Sequence, residues 1–506
     1  MVDASYAENQ LLEKIPEVPD RASAFTKLLT VPEDRGSDFF TWSYTMRREW
    51  LERNNEIFIP NDQHIDALQD IVSLTRHCLH KRNPANPQVQ RHLMRVSTLR
   101  EEDWRSNRAA SILMRTSPSG GGTYGRTVIG PTGAGKTSFG DRVQAAYGGE
   151  RAIELDYLGG HRGAWKLLPM LKVEVKRKDG LKALFESILE RGDNLLDKDY
   201  GLSSRLTGTP LWRLISQTYR MATNHFLGLL IVDDLQRLKE FDDHTEDVLQ
   251  QLTAFMQACG VPVVSMGTYK LTKLFAAHQQ EGAKLMAQGI SRIDALPNDA
   301  SWHRLCKIFW RYRISHRDLE LMPPWFPDAC HFWTQGIPRM MALLTSHLFK
   351  RMAKDEDSNL SRTFENQRPE TIDETYLAVS GQEALEQYQD GLNVLRLRAV
   401  GTRIDSATAE KWEHLLPPQA HEAVKPATPQ KKKSQPASSD DSPTAPKEPS
   451  TNCADGGTSE RKPGKKPKAT ARKSSKKPAD LAETIATAKD PLEAAAKLGV
   501  LGDFKL

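Results

Sequence analysis

VIGPTGAGKTS (residues 128–138) sets the fold of this chain. A short apolar run ends at Gly130. An eight-residue loop then closes on Gly135, Lys136 and Thr137, ahead of the helix-forming stretch SFGDRVQAAY (138–147). Glycines let the backbone turn so that successive N–H groups converge on an anion, and the N-terminus of the next helix adds partial positive charge. The loop Gly130, Pro131, Thr132, Gly133, Ala134, Gly135, Lys136, Thr137 and Ser138 is therefore expected to cradle the phosphates of a nucleoside triphosphate, ATP foremost. Lys136 should reach the β and γ phosphates, and the Thr137 hydroxyl should be a ligand of Mg2+.

About 95 residues further on, LLIVDDLQRL (229–238) is an apolar strand ending in two carboxylates. Asp233 is expected to hold Mg2+ through water and Asp234 to orient the attacking water; the alternative is that both cap a following helix. Asp234 has a shorter reach than a glutamate in its place would have. It is one methylene shorter, so hydrolysis should be slow. The next apolar run, VPVVSMGTYKL (261–271), ends in Thr268, a hydroxyl placed to sense the γ-phosphate. Arg339 in TQGIPRMM (334–341) should approach the phosphates from the lid side, unless it is a solvated surface arginine. Arg292 in GISRIDAL (289–296) lies where it could complete a neighbouring subunit's site as an arginine finger.

Around these motifs, β-branched runs at 126–130, 167–175, 228–234 and 261–267 alternate with helical stretches, the pattern of a parallel sheet flanked by helices. Each run is mostly apolar, as strands covered on both faces are. The expected divisions are a helical N-terminal, partner-binding module (1–100), an α/β nucleotide-binding core (101–300) and a helical lid with further C-terminal helices (301–416). A disordered basic linker (417–479) and a terminal docking peptide (480–506) follow. DQHIDALQDIVSLTRHCLHKR (62–82) has helical periodicity, and WSYTMRREW (42–50) could hold a partner or pack on the core.

The 70 basic and 65 acidic residues leave a net charge of +5. Residues 421–480 hold about 14 Lys and Arg against about 7 Asp and Glu, so that tail carries about +7 and the rest of the chain about −2. Bulk charge thus draws no nucleic acid to the folded part, and any contact needs a local basic patch. The tail is too poor in apolar residues to fold alone, yet the chain closes on Leu498, Val500, Leu501 and Phe504, a composition suited to docking. No run approaches the roughly 18 apolar residues of a membrane helix. The first residues carry acids where a secretory leader is apolar, so a cytoplasmic location without membrane contact is expected. Five scattered cysteines form no C-x-x-C pair, which argues against zinc and disulfide frameworks.

The phosphate loop, the strand bearing two aspartates, the threonine-ended strand and the late G-x-P-R helix together resemble the AAA+ ATPases. NHFLGLLIVDDLQRL (224–238) and GVPVVSMGTYKLTKLF (260–275) narrow the resemblance to the TnsC/TniB regulators of bacterial transposition. It implies an AAA+ P-loop core that uses ATP and Mg2+. It also implies homo-oligomers, as rings or filaments with a heptamer or hexamer per turn, on double-stranded DNA. Partners would be TnsA/TnsB-like transposase subunits reached through the C-terminal tail and a TnsD/TniQ-like target-selection protein. Lys176, Arg177, Lys178 and Lys182, in a basic loop beside the core, would grip DNA phosphates without reading bases; a solvated loop is the alternative. A signalling ATPase switch that oligomerises without DNA is the competing function.

Overall fold

The computed structural model describes residues 9–149, 151–175, 180–198, 200, 208–238, 243–315, 321–361 and 373–417. Lys176, Arg177 and Lys178, the docking peptide and all of the linker except Pro417 lie outside the described residues.

Five parallel strands form the central sheet, with a separate antiparallel hairpin inserted in the chain between the first and second of them. In chain order they are β1 (Gly125–Ile129), the hairpin strands β2 (Ile153–Leu158) and β3 (His161–Leu167), β4 (Leu171–Glu174), β5 (Leu230–Asp233), β6 (Val263–Gly267) and β7 (Ile290–Arg292). The sheet order is β4-β5-β6-β1-β7. The apolar run of β5 feeds both faces: Leu230 and Val232 join one hydrophobic cluster and Ile231 the other. Period-2 alternation within a wholly apolar strand produces this. Helices Leu181–Leu196, Leu211–Asn224 and Asp243–Cys259 cover the first face, and Lys136–Ala146 and Asp62–Lys81 the second.

One expected strand is corrected. Residues 167–175 do not form a single strand: Leu167 ends β3, and β4 starts only at Leu171. Pro169, which has no N–H to give a ladder, stands in the break. The sequence patterning did not reveal the β2–β3 hairpin, because its outer residues, among them Glu154, Asp156, His161 and Arg162, are exposed and polar. Gly159 and Gly160, both at positive φ, make its turn.

The Asp62–Lys81 helix is started by a reciprocal cap: the Asn61 side chain accepts from the His64 N–H, and His64 Nδ1 accepts from the Asn61 N–H. Its Leu68, Ile71 and Val72 pack in the cluster that holds Val128 and Val264 of the sheet. Full burial of each such side chain is worth roughly 1.5–3 kcal/mol. Upstream, Leu11 and Leu28 join that same cluster, whereas Phe39 and Leu51 join the lid's. The N-terminal segment therefore straps core and lid together. Trp50 stacks on Tyr312 at 5.6 Å, and Tyr312 Oη donates to the Pro32 carbonyl at 2.7 Å. The aromatic and basic 42–50 stretch is accordingly engaged with the lid.

The lid comprises helices Ala300–Arg311, Phe326–Thr334, Pro338–Ser361, Glu374–Ala384 and Gln389–Ala399 around Trp302, Phe326 and Phe349. No helix among the described residues is long and apolar enough to cross a membrane.

Candidate nucleotide-binding site

β1 delivers the phosphate loop to the carboxyl end of the sheet, between the ends of β6 and β7, where open parallel sheets bind ligands. Glycine is required at Gly130: a Cβ there would lie 1.9 Å from the Ile293 carbonyl oxygen. Gly135, at φ +92°, caps the Lys136–Ala146 helix in a left-handed conformation that other residues rarely adopt. The lid closes on the loop from above. The Arg339 N–H donates to the Gly133 carbonyl at 3.1 Å, and a Cβ on Gly133 would meet Arg339 Cβ at 3.1 Å.

Lys136 is buried, and its ammonium donates to the loop carbonyls of Gly130 at 3.1 Å and Pro131 at 2.8 Å. Burial lowers its pKa to about 8, against the opposing pull of Asp233 and Asp234. The loop thus already supplies a cradle of oxygen acceptors around a cation whose natural partner is an anion.

Asp233 ends β5 and is 1% exposed. Burial raises its pKa, opposed by the Lys172 ammonium 3.8 Å away and by a hydrogen bond with Thr137. The two residues expected to hold Mg2+, Thr137 and Asp233, are therefore neighbours, with a hydroxyl and a carboxylate of the hard-oxygen character that Mg2+ takes. The donor set fits the metal.

Asp234 adopts a left-handed conformation at φ +56°. It does not cap a helix through its side chain. Its carboxylate accepts from Gln236 Nε2 at 2.8 Å and pairs with Arg237 at 2.5 Å. Arg237 also pairs with Glu174 at 2.7 Å and donates to the Val175 carbonyl at 3.1 Å. Gln236 turns its other end to β6, its Oε1 accepting from the Thr268 N–H at 3.2 Å. A Cβ on Gly267 would lie 2.4 Å from that oxygen, so the glycine makes room for the bridge. Thr268 is 7% exposed, and its hydroxyl has no hydrogen-bond partner among the described residues. A buried, unpaired hydroxyl costs about 1–3 kcal/mol.

Thr132 through Ser138, Asp234, Gln236, Arg237 and Thr268 line one cavity of about 540 Å³, whereas Gly130, Pro131 and Asp233 are not among its lining residues. Arg339 lines it from the lid and is exposed. Arg292 is not among the lining residues; it is exposed on β7, at the edge of the sheet. Lys182 is not among the lining residues either; it lies in the first turn of the Leu181–Leu196 helix, 3.9 Å from Glu186. It belongs to a helix rather than to the expected basic loop.

Sequence reasoning missed one whole wall of the cavity. Phe58, Asn61 and His64 from the N-terminal segment line it, as do Leu305 and Phe309 from the lid. A Cβ on Gly135 would touch the Phe58 ring at 3.6 Å. The Asn61 and His64 pair signals a helix start in the sequence, but nothing local says that the cap faces a cavity. Gln236, Arg237 and Lys172 were likewise missed as site residues.

Residues 124–275 match the family model described as an AAA domain. With the sheet order and loop position above, this part of the chain has the AAA+ P-loop fold and is a nucleotide-binding ATPase domain. No curated protein matches the chain. Among solved structures, the chain is similar to the Orc1 protein of Aeropyrum pernix in complex with DNA, at 15% identity. That likeness covers 60% of this chain and 71% of that one, with a TM-score of 0.32. It is also similar to a Walker-type ATPase of Pyrococcus abyssi at 15% identity, over 63% of this chain and 89% of that one, with a TM-score of 0.30. Likenesses this remote carry no argument about what the chain binds.

Proposed function

We propose that the chain is an ATP-dependent regulator of DNA transposition of the TnsC/TniB type, which oligomerises on double-stranded DNA and is reset by ATP hydrolysis. One observation carries this reading. The two stretches that resemble those regulators, 224–238 and 260–275, contain the neighbouring strands β5 and β6; their Asp234, Gln236 and Thr268 line the cavity at the phosphate loop, and their Asp233 is hydrogen-bonded to Thr137.

Within it, Lys136 and the loop N–H groups bind the phosphates, and Thr137 and Asp233 hold Mg2+. The metal, when bound, neutralises charge on the phosphate oxygens. Asp234 orients the attacking water, Thr268 offers its unpaired hydroxyl to the γ-phosphate, and Arg339 reaches in from the lid. Arg292, exposed at the sheet edge, serves a neighbouring subunit. The pairing of Asp234 with Arg237 supports slow turnover, since the carboxylate must leave that partner before it can take a water proton. A slow site suits a timer better than a motor.

The segment holding Lys176, Arg177 and Lys178 follows β4, and with Lys182 it is the DNA contact in this reading. The C-terminal tail docks the TnsA/TnsB-like transposase subunits, and a TnsD/TniQ-like protein selects the target. Negative-stain microscopy with ATP and duplex DNA tests the assembly: ATP-dependent rings or filaments on the duplex are expected. Filaments that form only without DNA would favour a signalling switch instead. Charge reversal at Lys176 and Arg177 should weaken duplex binding and flatten its salt dependence. Deleting the last ten or so residues should abolish transposase stimulation and leave ATP hydrolysis intact.

A further inference from the structure

We infer that Lys172 is a positioning residue of the nucleotide site, a resident cation that shares Asp233 with the metal and sets how far nucleotide binding depends on Mg2+. The inference rests on the nucleotide reading of the cavity.

Lys172 lies on β4 opposite Ile231, and its side chain crosses to the helix that follows the phosphate loop. There Nζ donates to the Thr137 carbonyl at 2.9 Å, pairs with Asp141, and stands 3.8 Å from Asp233 Oδ2. An ammonium has three N–H groups and no acceptor, and these three oxygens are what it faces. The site is built to admit it. A Cβ on Gly140 would come within 3.2 Å of Lys172 Cε and 3.4 Å of Nζ, so the glycine in the helix leaves the channel through which the lysine passes. The Lys172 side chain is 11% exposed and that of Asp233 2%, so solvent screens this pair far less than a surface pair, whereas Asp141 is 59% exposed.

Two consequences follow from charge. Asp141 and Asp233 would repel a triphosphate, and Lys172 together with Lys136 offsets them, so the site should accept ATP without metal. The same ammonium attracts the carboxylate that Mg2+ needs, so it holds metal affinity down. Its bond to the Thr137 carbonyl also steadies the turn that presents the Thr137 hydroxyl.

Titration of the full chain with a methylanthraniloyl derivative of ATP, in EDTA and then across a Mg2+ series, separates these effects. In Lys172→Met, metal-free affinity should fall at least about tenfold and the half-saturating Mg2+ concentration should drop about threefold, because a nearby charge is lost in a poorly screened site. Lys172→Arg keeps the charge and should stay within about threefold of the parent in EDTA. Loss of metal-free affinity in the arginine variant equal to that in the methionine variant overturns the electrostatic role, as does a methionine variant unchanged in both titrations. Should Lys172→Met not fold, Asp141→Asn carries the test: freed of that partner, Lys172 turns to Asp233, and the Mg2+ midpoint should rise about threefold. An unchanged or lower midpoint overturns the inference. If the parent chain binds no ATP even with Mg2+, the nucleotide reading itself has failed and takes this inference with it.

Discussion

The backbone N–H of Thr132, inside the phosphate loop, donates to the carbonyl of His414 at 3.1 Å. That carbonyl belongs to the last described turn of the chain, nearly 300 residues away in sequence. Beside it, Glu413 pairs with Lys270 at 2.9 Å and with Lys273, both on the helix that follows Thr268. The root of the C-terminal tail is thereby fastened to the nucleotide site at two points.

Reversing Glu413 to Lys should release this fastening. Because the lysines are 41% and 52% exposed, the expected stability loss is only about 1 kcal/mol. ATP affinity should nevertheless fall about three- to tenfold through the loosened loop. A fluorescent-nucleotide titration beside a denaturant melt distinguishes the two quantities. Affinity unchanged within twofold would mean that the contact is only structural.

The bridge from Asp234 through Gln236 to Thr268 makes a second prediction. Asp234→Ala should cut ATP turnover by about a hundredfold or more, and Gln236→Ala by about tenfold, with ATP affinity retained in both. Arg237→Ala removes the competing partner of Asp234 and should raise kcat a few-fold with KM nearly constant. A fall in kcat for Arg237→Ala would show that the arginine supports the carboxylate rather than restraining it.

Binding groups kept ready in a buried site cost stability. The Lys136 pKa is lowered by burial to about 8, below its value of 10.5 in an unfolded chain. Between those values the unfolded chain holds more protons, so stability should rise with pH from about 8 to 10.5. Lys136→Met should abolish nucleotide binding, remove that slope and stabilise the chain at neutral pH by up to about 3 kcal/mol. Thr268→Ala should likewise gain about 1 kcal/mol while ATP hydrolysis falls. Thermal melts from pH 7 to pH 10.5 decide this, and destabilisation by both substitutions would contradict it.

Acid should act through two buried histidines. Burial lowers both His64 and His92 from 6.5 to about 4. The unfolded chain therefore takes up protons first, and stability should be lost as pH falls from 6.5 toward 4, on the order of 3 kcal/mol per histidine. His64→Gln cannot protonate and keeps a side chain suited to the third position of the capped helix. Its stability should vary less steeply over that range; an identical pH profile would remove His64 from the account.

Much of the core was legible because its signals are local. Gly130, Gly135, Lys136 and Thr137 lie within eight residues, and their spacing alone specifies a loop that turns its N–H groups on an anion. The apolar run of β5 announces a strand covered on both faces, with Asp233 at its end. The hairpin escaped notice because its outer face is polar, and β7 because it is only three residues long.

Local chemistry therefore placed the phosphate loop, the strand-end carboxylate and Thr268. Tertiary packing decided the rest, because the contacts concerned join residues far apart in sequence and leave no periodic trace. Folding brought Phe58 and His64 to face the loop and tied Arg237 to the carboxylate of Asp234. It led Lys172 from a strand to Asp233 past a glycine, and set His414 on Thr132. A hydrogen bond or ion pair of this kind depends on where two backbones meet, and that meeting is fixed by burial of the apolar clusters, not by the residues that form the bond.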